Sequence, residues 1–456
     1  MSSAAPSTPG VHETDEPAAL AALRALVRVP TVSRRPPDRI EDGVLARLHA
    51  VLAEHFPLLH AAAEVIGLDD GALLLHWRGR SAARPVVLMA HLDVVPPGEH
   101  WTRDPFGAEL LGGPQDGTVY GRGVLDDKGS VAAICSAVEE LLAAGHEPAQ
   151  DVWLSFGSNE EVSGTAAAAA VVELRRRGVE PWMVLDEGGA VAGGTFPGVD
   201  VPVAVIGVAE KGTTSLRLVA SGGGGHASTP SRGGATARLA KAVLALERHP
   251  LPARLGDVTV ETFRRLAPHA RQPVGALMAR AGSARPAVAR ALAALGGEPA
   301  ALVRTTMVTT TLSGSPALNV VASEATAGVN ARIAPGESVA DVVAHVRSVV
   351  GKGIDVEVVE SGEPSPLSPW EDEAFALLER GVAEVFPDAV TTPYVVLAAT
   401  DGRFLAEICP RVYRFAPFRM SKAQRATIHG PDEHLHVPDL LDGVRFYRRL
   451  LEELPA

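Results

Sequence analysis

A short apolar run that ends on a histidine constrains the fold more than any other feature of this 456-residue sequence. Residues 85–90, Pro-Val-Val-Leu-Met-Ala, carry no polar side chain and are followed directly by His91. A strand that is apolar on both faces must be covered on both sides, which is typical of strands inside an α/β sheet. The run therefore predicts a central strand that delivers a histidine to one edge of a sheet.

The same arrangement recurs along the first half of the chain. Strands predicted at 151–156 and 182–185 alternate with amphipathic helices, and they run into Glu160-Glu161 and Asp186. Such alternation indicates right-handed crossovers and a central mixed, largely parallel sheet flanked by helices, an α/β fold. Because ligands of open α/β sheets bind beyond the strand carboxyl ends, we expect a site where these polar residues meet.

A change of pattern near residue 207 predicts a second domain. Residues 213–220 alternate in polarity like a half-exposed antiparallel strand, and a Pro-rich segment at 363–369 indicates a return to the first domain. Between them, a helical stretch reaches about residue 301 and further alternating strands follow. The prediction is a discontinuous catalytic domain with an inserted smaller α+β lid domain, which would also be the dimerisation domain; the boundaries are 1–207, 208–362 and 363–456.

Composition excludes several classes of protein. The formal net charge of -12 argues against a nucleic-acid partner, which would require an excess of basic side chains. Two cysteines are too few for a disulfide scaffold or a Cys-rich zinc site, so a metal would need His and carboxylate ligands. Without a membrane-length apolar run, and with residues 1–16 predicted to be a disordered arm, we expect no membrane partner and a cytoplasmic location.

Paired acids and a histidine at strand ends point to a dinuclear metal site. Any one of them alone is more often a solvated loop charge, but their convergence on one sheet edge favours metal binding. Two cations a few ångström apart need a bridging carboxylate and about two further ligands each. Asp126, in the Gly-bounded loop 121–129, suits the bridge, while Glu161 would serve one ion and Asp186 the other.

Two further acids are predicted to act beside the metals. Glu160, next to Glu161, is placed to take a proton from water and later give it to the leaving amine. Asp93, two residues after His91, is expected to accept a hydrogen bond from the imidazole and fix its orientation, the alternative being simple loop capping.

Three segments carry a resemblance to a known family: Gly121–Lys128, Val184–Gly189 and Ile428–Glu433. With His91-Leu92-Asp93 and Asn159-Glu160-Glu161, they resemble the dinuclear zinc metallopeptidase family of aminoacylase-1, carboxypeptidase S, glutamate carboxypeptidase and carnosinase. The likeness extends from about residue 16 to 447 and is greatest for the carboxypeptidase S and N-acyl-amino-acid synthase/hydrolase branch.

The resemblance implies two Zn²⁺ ions, with Co²⁺ or Mn²⁺ as alternatives. The ligands it implies are His91, Asp126 and Asp186 for one ion, and Asp126, Glu161 and His429 for the other. It also implies that Glu160 is the general base and that the Asp126-Asp127 peptide bond is cis.

The resemblance also implies four residues that act on the substrate. His226, in a loop with four consecutive glycines, would stabilise the oxyanion that forms when water attacks the carbonyl. Asn319 and Arg332 would recognise a free carboxylate, a task suited to the planar fork of an arginine. Arg403 would contact the same carboxylate. Whether His226 acts within one chain or across a homodimer is open.

The resulting hypothesis is a metallopeptidase or amidohydrolase of carboxypeptidase or aminoacylase type. It would cleave an amide bond next to a free carboxylate, in an N-acyl amino acid or a dipeptide, by attack of a water that bridges the metals. The alternative among enzymes is a carnosinase-like or general dipeptidase. The alternative from a different class is a catalytically inactive metal-binding protein that keeps the fold.

Overall fold

The computed structural model describes residues 16–34, 40–41, 43–230 and 232–456. The predicted N-terminal arm lies, apart from Glu16, outside the described residues. Glu16 lies two residues before the first helix and forms an ion pair of 2.6 Å with Arg24 of that helix.

The helices are, in chain order, α1 Ala18–Val27, α2 Val44–His55, α3 Pro57–Ala62, α4 Lys128–Ala143, α5 Ala166–Arg176, α6 Ala235–Arg248, α7 Asp257–Leu266, α8 Val274–Ala279, α9 Arg285–Leu295, α10 Gly297–Ala301, α11 Val339–Val350, α12 Glu373–Val385, α13 Gly402–Leu405, α14 Lys422–Arg425 and α15 Val437–Glu452. The strands are β1 Glu64–Gly67, β2 Leu73–Trp77, β3 Val86–His91, β4 Glu109–Leu111, β5 Thr118–Tyr120, β6 Val152–Gly157, β7 Met183–Asp186, β8 Ala190–Ala192, β9 Val203–Glu210, β10 Gly212–Ser221, β11 Gly225–His226, β12 Thr306–Ser313, β13 Val320–Val321, β14 Glu324–Ile333, β15 Asp355–Gly362, β16 Val390–Val396, β17 Val412–Arg414, β18 Arg419–Met420 and β19 His434–His436. Among the described helices, none is long and apolar enough to cross a membrane.

A large mixed sheet forms the catalytic domain and confirms the predicted α/β fold. Its strand order is β1-β2-β6-β3-β7-β17-β9-β8-β18, and β16 also pairs with β9. Strand β3 lies between β6 and β7 and is parallel to both, whereas β1, β2 and β8 add antiparallel pairs. The carboxyl ends of the three central strands therefore meet at one edge, as the sequence predicts.

The apolar run before His91 forms β3, which is buried along its whole length. Val86, Leu88 and Ala90 pack into one core cluster, which includes α1, α4, α12 and α15, while Val87 and Met89 pack into another with α5 and α13. Because successive side chains of a strand point to opposite faces, a strand covered by helices on both sides must be apolar at every position.

The inserted segment contains a second, antiparallel sheet of order β12-β14-β10-β15. Helices α6 and α11 cover one of its faces, and alternate residues of β14 are buried against them. This alternation matches the polarity pattern of the sequence, since only one face of the sheet packs on apolar residues.

Helices α7–α10, residues 257–301, pack on the large sheet and are called the helical segment below. Phe263 and Leu266 of α7 share a core cluster with Val203 and Val205 of β9 and with Tyr394 of β16. The sequence assigns these helices to the inserted domain, and in the structure their apolar faces are buried against strands of the catalytic domain.

Candidate metal centre and active site

The predicted metal ligands converge at the carboxyl edge of the large sheet. His91 is the last residue of β3, Asp186 is the last residue of β7, and Glu161 lies in a single 3-10 turn after β6. Asp126 lies in the loop that precedes α4, and the Asp126-Asp127 peptide bond is cis, as the resemblance implies. His429 approaches from a loop near the C-terminus with a positive φ of 62°.

Asp126 lies between two histidines, one on each of its oxygens. His91 Nε2 is 2.8 Å from Asp126 Oδ1, and His429 Nε2 is 3.0 Å from Asp126 Oδ2. His429 Nε2 is also 3.1 Å from Glu161 Oε2. One ligand atom each from His91, Asp126 and Glu161 lies within 4.8 Å of the others. This arrangement fits a carboxylate that bridges two cations.

The electrostatics of the free site also fit a cation centre. Burial acts to raise the pKa of Asp126, but hydrogen bonds with His429 and His91 outweigh it and hold that pKa well below its usual value. Asp126 and Glu161 in turn raise the pKa of His429 to about 10. Glu161 Oε1 is buried and, within the described part of the chain, has no hydrogen-bond partner. Two imidazoles and a group of carboxylates are the ligands that zinc accepts.

The Asp93 carboxylate lies closer to the backbone of the Glu160-Glu161 turn than to the imidazole of His91, which is its predicted partner. His91 Nδ1 donates to the backbone carbonyl of Asp93 at 3.0 Å, while the Asp93 carboxylate is 3.5 Å away. The carboxylate accepts instead from the backbone N–H groups of Glu160 and Glu161, at 3.1 and 3.2 Å. Because a carbonyl only accepts, Nδ1 carries the proton and Nε2 is left free for a metal. Asp93 thus fixes the backbone of Glu160, the predicted base, and of Glu161, a predicted ligand.

Glu160, the predicted base, lies beside the ligand cluster and lines a cavity of about 320 Å³. Burial, followed by the nearby Asp401 and Asp126 charges, raises its pKa well above the usual value, although the opposite charge of His91 acts to lower it. A buried carboxyl group with a raised pKa can both accept and donate a proton, which suits the predicted role.

Asp186 is oriented by the loop that carries Arg403. The Asp186 Oδ2 atom accepts a hydrogen bond of 2.6 Å from the backbone N–H of Gly402. Arg403 is half-buried on α13, with its guanidinium 4.7 Å from the ring centroid of Phe404. The same loop is held by Glu210, whose Oε2 accepts from both the backbone N–H and the hydroxyl of Thr400 at 3.0 Å.

Glu433 is a supporting residue that the sequence does not single out, although it lies in the His429 motif. Its carboxylate is fully buried and accepts from the backbone N–H groups of Gly123, Leu125 and Asp126, at 3.1, 2.8 and 3.2 Å. Arg122 Nη1 adds an ion pair of 2.6 Å. One carboxylate therefore connects the loop of Asp126, the predicted bridging ligand, to the loop of His429. Its position in the Ile428–Glu433 motif could have marked Glu433 as important, but only the fold shows which groups it binds.

Three of the four residues predicted to act on the substrate, His226, Asn319 and Arg332, lie on the inserted segment, away from the metal-ligand cluster, whereas Arg403 lies on α13. His226 is exposed on β11, with Nδ1 2.7 Å from Ser228 Oγ, and the Asn319 carbonyl accepts from Ala227 N–H beside it. Arg332 lies on β14 and donates to Thr213 Oγ1 at 2.9 Å. Across the described residues, no hydrogen bond or ion pair joins these three side chains to the metal-ligand cluster.

Comparison with known proteins identifies the family. The model of peptidase family M20/M25/M40 matches residues 87–453. This chain belongs to the M20/M25/M40 peptidase family. It is 32% identical to the N-fatty-acyl-amino acid synthase/hydrolase PM20D1.1 of Danio rerio, over 94% of this chain and 84% of the relative. It is 31% identical to the probable carboxypeptidase S-like 2 of Dictyostelium discoideum, over 91% of this chain and 80% of the relative.

A solved M20 structure shares the fold. The M20 family metallo-carboxypeptidase Sso-CP2 from Sulfolobus solfataricus superposes with a TM-score of 0.68 at 17% identity, over 95% of this chain and 98% of that one. Membership of the M20 family confirms the predicted family and branch, and with them an enzyme that hydrolyses amide bonds and belongs to a metal-dependent peptidase family.

Proposed function

We propose that this enzyme is a dinuclear zinc hydrolase that releases an amino acid from an N-acyl amino acid. The observation that carries the proposal is the Asp126 carboxylate, which offers one oxygen toward His91 and the other toward His429. Asp186 and Glu161 would complete the two ligand sets. Zinc ions there would supply a Lewis acid that activates water and polarises the scissile carbonyl.

Glu160 would move the proton. Its carboxylate lines the cavity beside the ligands, and its backbone is held by Asp93. Glu160 can therefore accept a proton from the attacking water and deliver it to the nitrogen of the leaving amino acid. Positioned acid–base catalysis of this kind contributes roughly 10²- to 10⁴-fold to the rate.

The lid domain would hold the carboxylate of the leaving amino acid. Arg332 uses one guanidinium nitrogen on Thr213, and the planar fork has further donors suited to a carboxylate. Asn319 lies close to His226, so one approach of the lid would bring both to the substrate, where His226 would donate to the developing oxyanion. Arg403 would reach the same carboxylate from the catalytic domain.

An N-acyl amino acid is favoured over a dipeptide by the apolar walls of the cavity. The α-ammonium of a dipeptide would lose its hydration there, whereas an acyl chain gains from burial. The relative named as an N-fatty-acyl-amino acid synthase/hydrolase supports the same choice. A dipeptidase remains the alternative, because Glu187 also lines the cavity and could accept an ammonium group.

The test is hydrolysis of a panel by the zinc-loaded protein. The panel contains N-acyl amino acids, dipeptides, and the same N-acyl compounds with the carboxylate converted to an amide. We expect hydrolysis of the N-acyl amino acids and a large loss on blocking the carboxylate. Hydrolysis of neither class would refute the proposed function, and a preference for dipeptides would favour the alternative.

The role of Glu160 is tested by Glu160→Gln with metal content measured in the same sample. We expect turnover to fall by roughly 10²- to 10⁴-fold with zinc retained. Glu99→Gln is the matched control, because the Glu99 side chain is 91% exposed and lies outside the ligand cluster. Unchanged turnover in Glu160→Gln with zinc still bound would show that another group is the base.

A cytoplasmic location and a homodimer remain predictions, as does the absence of nucleic-acid and membrane partners. Cys135 and Cys409 are free and buried, which is compatible with a reducing compartment. Light scattering of the purified protein tests the homodimer, and fractionation of the producing cell tests the location.

A further inference from the structure

The cavity beside the metal ligands has both charged and apolar walls. Its charged lining includes Asp126, Glu160, Glu161 and His429, the groups that surround the scissile bond in the proposed function, and Glu187 beside them. Its remaining walls are largely apolar and come from β8, β9, β16 and β18 of the catalytic domain. These walls include Ala190, Ala192, Val205, Val396 and Met420.

The carboxylate-binding residues proposed for the substrate are not part of this cavity. Arg332 and Asn319 lie on the lid domain, and neither lines its wall. A free carboxylate in the cavity would also face Glu187 and Glu298 as like charges, with Arg425 as its one cationic partner outside the ligand cluster. The half of the substrate that enters the cavity is therefore the acyl half.

The helical segment contributes to the part of the cavity wall that we call the rim, formed by Glu298, Tyr394 and Arg425. Glu298, from α10, lines the cavity together with Tyr394 and Arg425. Tyr394 is fixed by the core cluster of the helical segment and packs edge-on against Phe196, with ring centroids 6.4 Å apart. Arg425 is half-buried and donates to the Met420 carbonyl at 3.0 Å.

The rim discriminates against a charged acyl tail. Burial lowers the pKa of Arg425, and the nearby Glu298 opposes that shift with its negative charge. Glu298 thereby offsets the one cationic side chain of the rim, which would otherwise attract a terminal carboxylate. A tail carboxylate would meet Glu187 and Glu298 as like charges against the single opposite charge of Arg425, whereas a neutral tail meets no like charge.

The size of the cavity bounds the acyl chain. A volume of about 320 Å³ is at the small end for ligand pockets. If a methylene takes about as much space as a water molecule, roughly 30 Å³, the cavity has room for on the order of ten such groups. The amide itself occupies part of that space.

We propose that this cavity is the acyl-binding site of the enzyme and selects a neutral, apolar acyl chain of on the order of eight carbons, with Tyr394 and the helical segment limiting its length. This inference rests on the proposed function and specifies the substrate class. It predicts a preference for medium chains over the long fatty chains that fill larger pockets.

The test uses N-acyl glycines, in which only the acyl chain varies, from acetyl through hexanoyl and octanoyl to hexadecanoyl. Each added methylene should raise kcat/KM about fourfold up to roughly six to eight carbons, and the gain should then stop. Glutaryl-glycine should be a poorer substrate than hexanoyl-glycine. A flat series, an increase that continues to hexadecanoyl, or a preference for glutaryl would overturn the inference.

Variants separate a specificity role from a general loss of activity. Ala398→Phe narrows the cavity from an exposed wall position, so the octanoyl-to-acetyl ratio of kcat/KM should fall at least tenfold. Ala423→Phe is the matched control, because Ala423 is exposed on α14 and does not line the cavity, and its ratio should equal that of the wild type. Tyr394→Ala should move the optimum toward longer chains. Equal losses for all chain lengths in Ala398→Phe would overturn the inference.

The two proposals fail in different ways. Without hydrolysis of any N-acyl amino acid, both the proposed function and this inference are wrong. Hydrolysis of N-acyl glycines without dependence on chain length refutes the inference alone. A second series, of N-acetyl amino acids with side chains of increasing length, checks the direction of binding. If kcat/KM depends on length in this series and not in the acyl series, the cavity binds the amino-acid side chain instead.

Discussion

Replacing Glu433 with Gln tests whether one buried carboxylate holds the bridging loop in place. Oε1 accepts from Leu125 and Asp126, and Oε2 accepts from Gly123 and Arg122. Whichever carboxylate oxygen is replaced by the amide NH₂ group, the two donors that were bound to that oxygen then face another donor. A stranded buried donor costs about 1–3 kcal/mol, so the change should destabilise the loop by roughly 2–6 kcal/mol.

Hydrogen exchange of the 121–129 loop measures this effect directly. Burial raises the pKa of Glu433 to about 7, although Arg122 acts to lower it, so the comparison is best made near pH 8, where the carboxylate is largely ionised. We expect the backbone N–H groups of Gly123, Leu125 and Asp126 to exchange on the order of 100-fold faster in Glu433→Gln. Zinc affinity should fall about 10- to 100-fold, as for other groups that support metal ligands.

The control for this experiment is Glu109→Gln. Glu109 also faces an arginine, Arg103, at 3.4 Å, but its side chain is half exposed. Exposed ion pairs contribute at most about 1 kcal/mol, so exchange in the 121–129 loop should be unchanged in the control. If Glu433→Gln showed the same exchange rates and zinc affinity as the wild type, the result would refute the reasoning, because a neutral amide could then replace the carboxylate.

Three further predictions follow from buried charges. His91 and His429 both have raised pKa values in the free protein, and each must lose a proton to bind a metal ion. Calorimetry of zinc binding near pH 7, in buffers of different ionisation enthalpy, should therefore detect about two protons released per chain. Release of no protons would contradict the ligand assignment. Burial lowers the pKa of Lys211 to about 8, so the unfolded chain binds more protons than the folded one between about pH 8 and 10.5, and urea unfolding should show stability rising with pH there, on the order of 2 kcal/mol from this residue. Burial also lowers the pKa of Lys128, to about 7, which adds a rise of the same sign, so Lys211→Met should reduce the rise without abolishing it, and an undiminished rise in the variant would contradict this origin. Glu210→Gln weakens a fully buried ion pair with Arg414 and should lower the free energy of unfolding by about 3 kcal/mol, whereas an unchanged urea midpoint would show the pair to be dispensable.

The sequence predicts the strands of the large sheet well, because the apolar pattern of each strand lies within a few consecutive residues. The uninterrupted apolar run before His91 required a strand covered on both faces, and β3 is that strand. The strands predicted at 151–156 and 182–185 are β6, Val152–Gly157, and β7, Met183–Asp186. In each case the periodicity of apolar residues reports directly which side of the element is buried.

What the sequence does not predict depends on partners far apart in the chain. The amphipathic pattern of the helical segment shows that its helices bury one face, but not that this face packs on β9 and β16. From the sequence alone, Glu433 resembles any acidic residue in a loop, because its hydrogen-bond partners lie about 310 positions earlier in the chain. The Asp93 carboxylate was expected to face an imidazole, and the backbone N–H groups of the following turn compete for it. Periodicity carries no information on such long-range pairing.

The most direct test of the central claim, that Asp126 bridges two metal ions, is the zinc content of Asp126→Asn. Mass spectrometry of the zinc-loaded, desalted wild type should give two zinc ions per chain, and the variant should lose most of both, because both histidines face this carboxylate. Asp116→Asn, at an exposed position outside the cluster, should keep both ions. A variant that still binds two ions, or a wild type that binds one, would contradict the bridging role of Asp126.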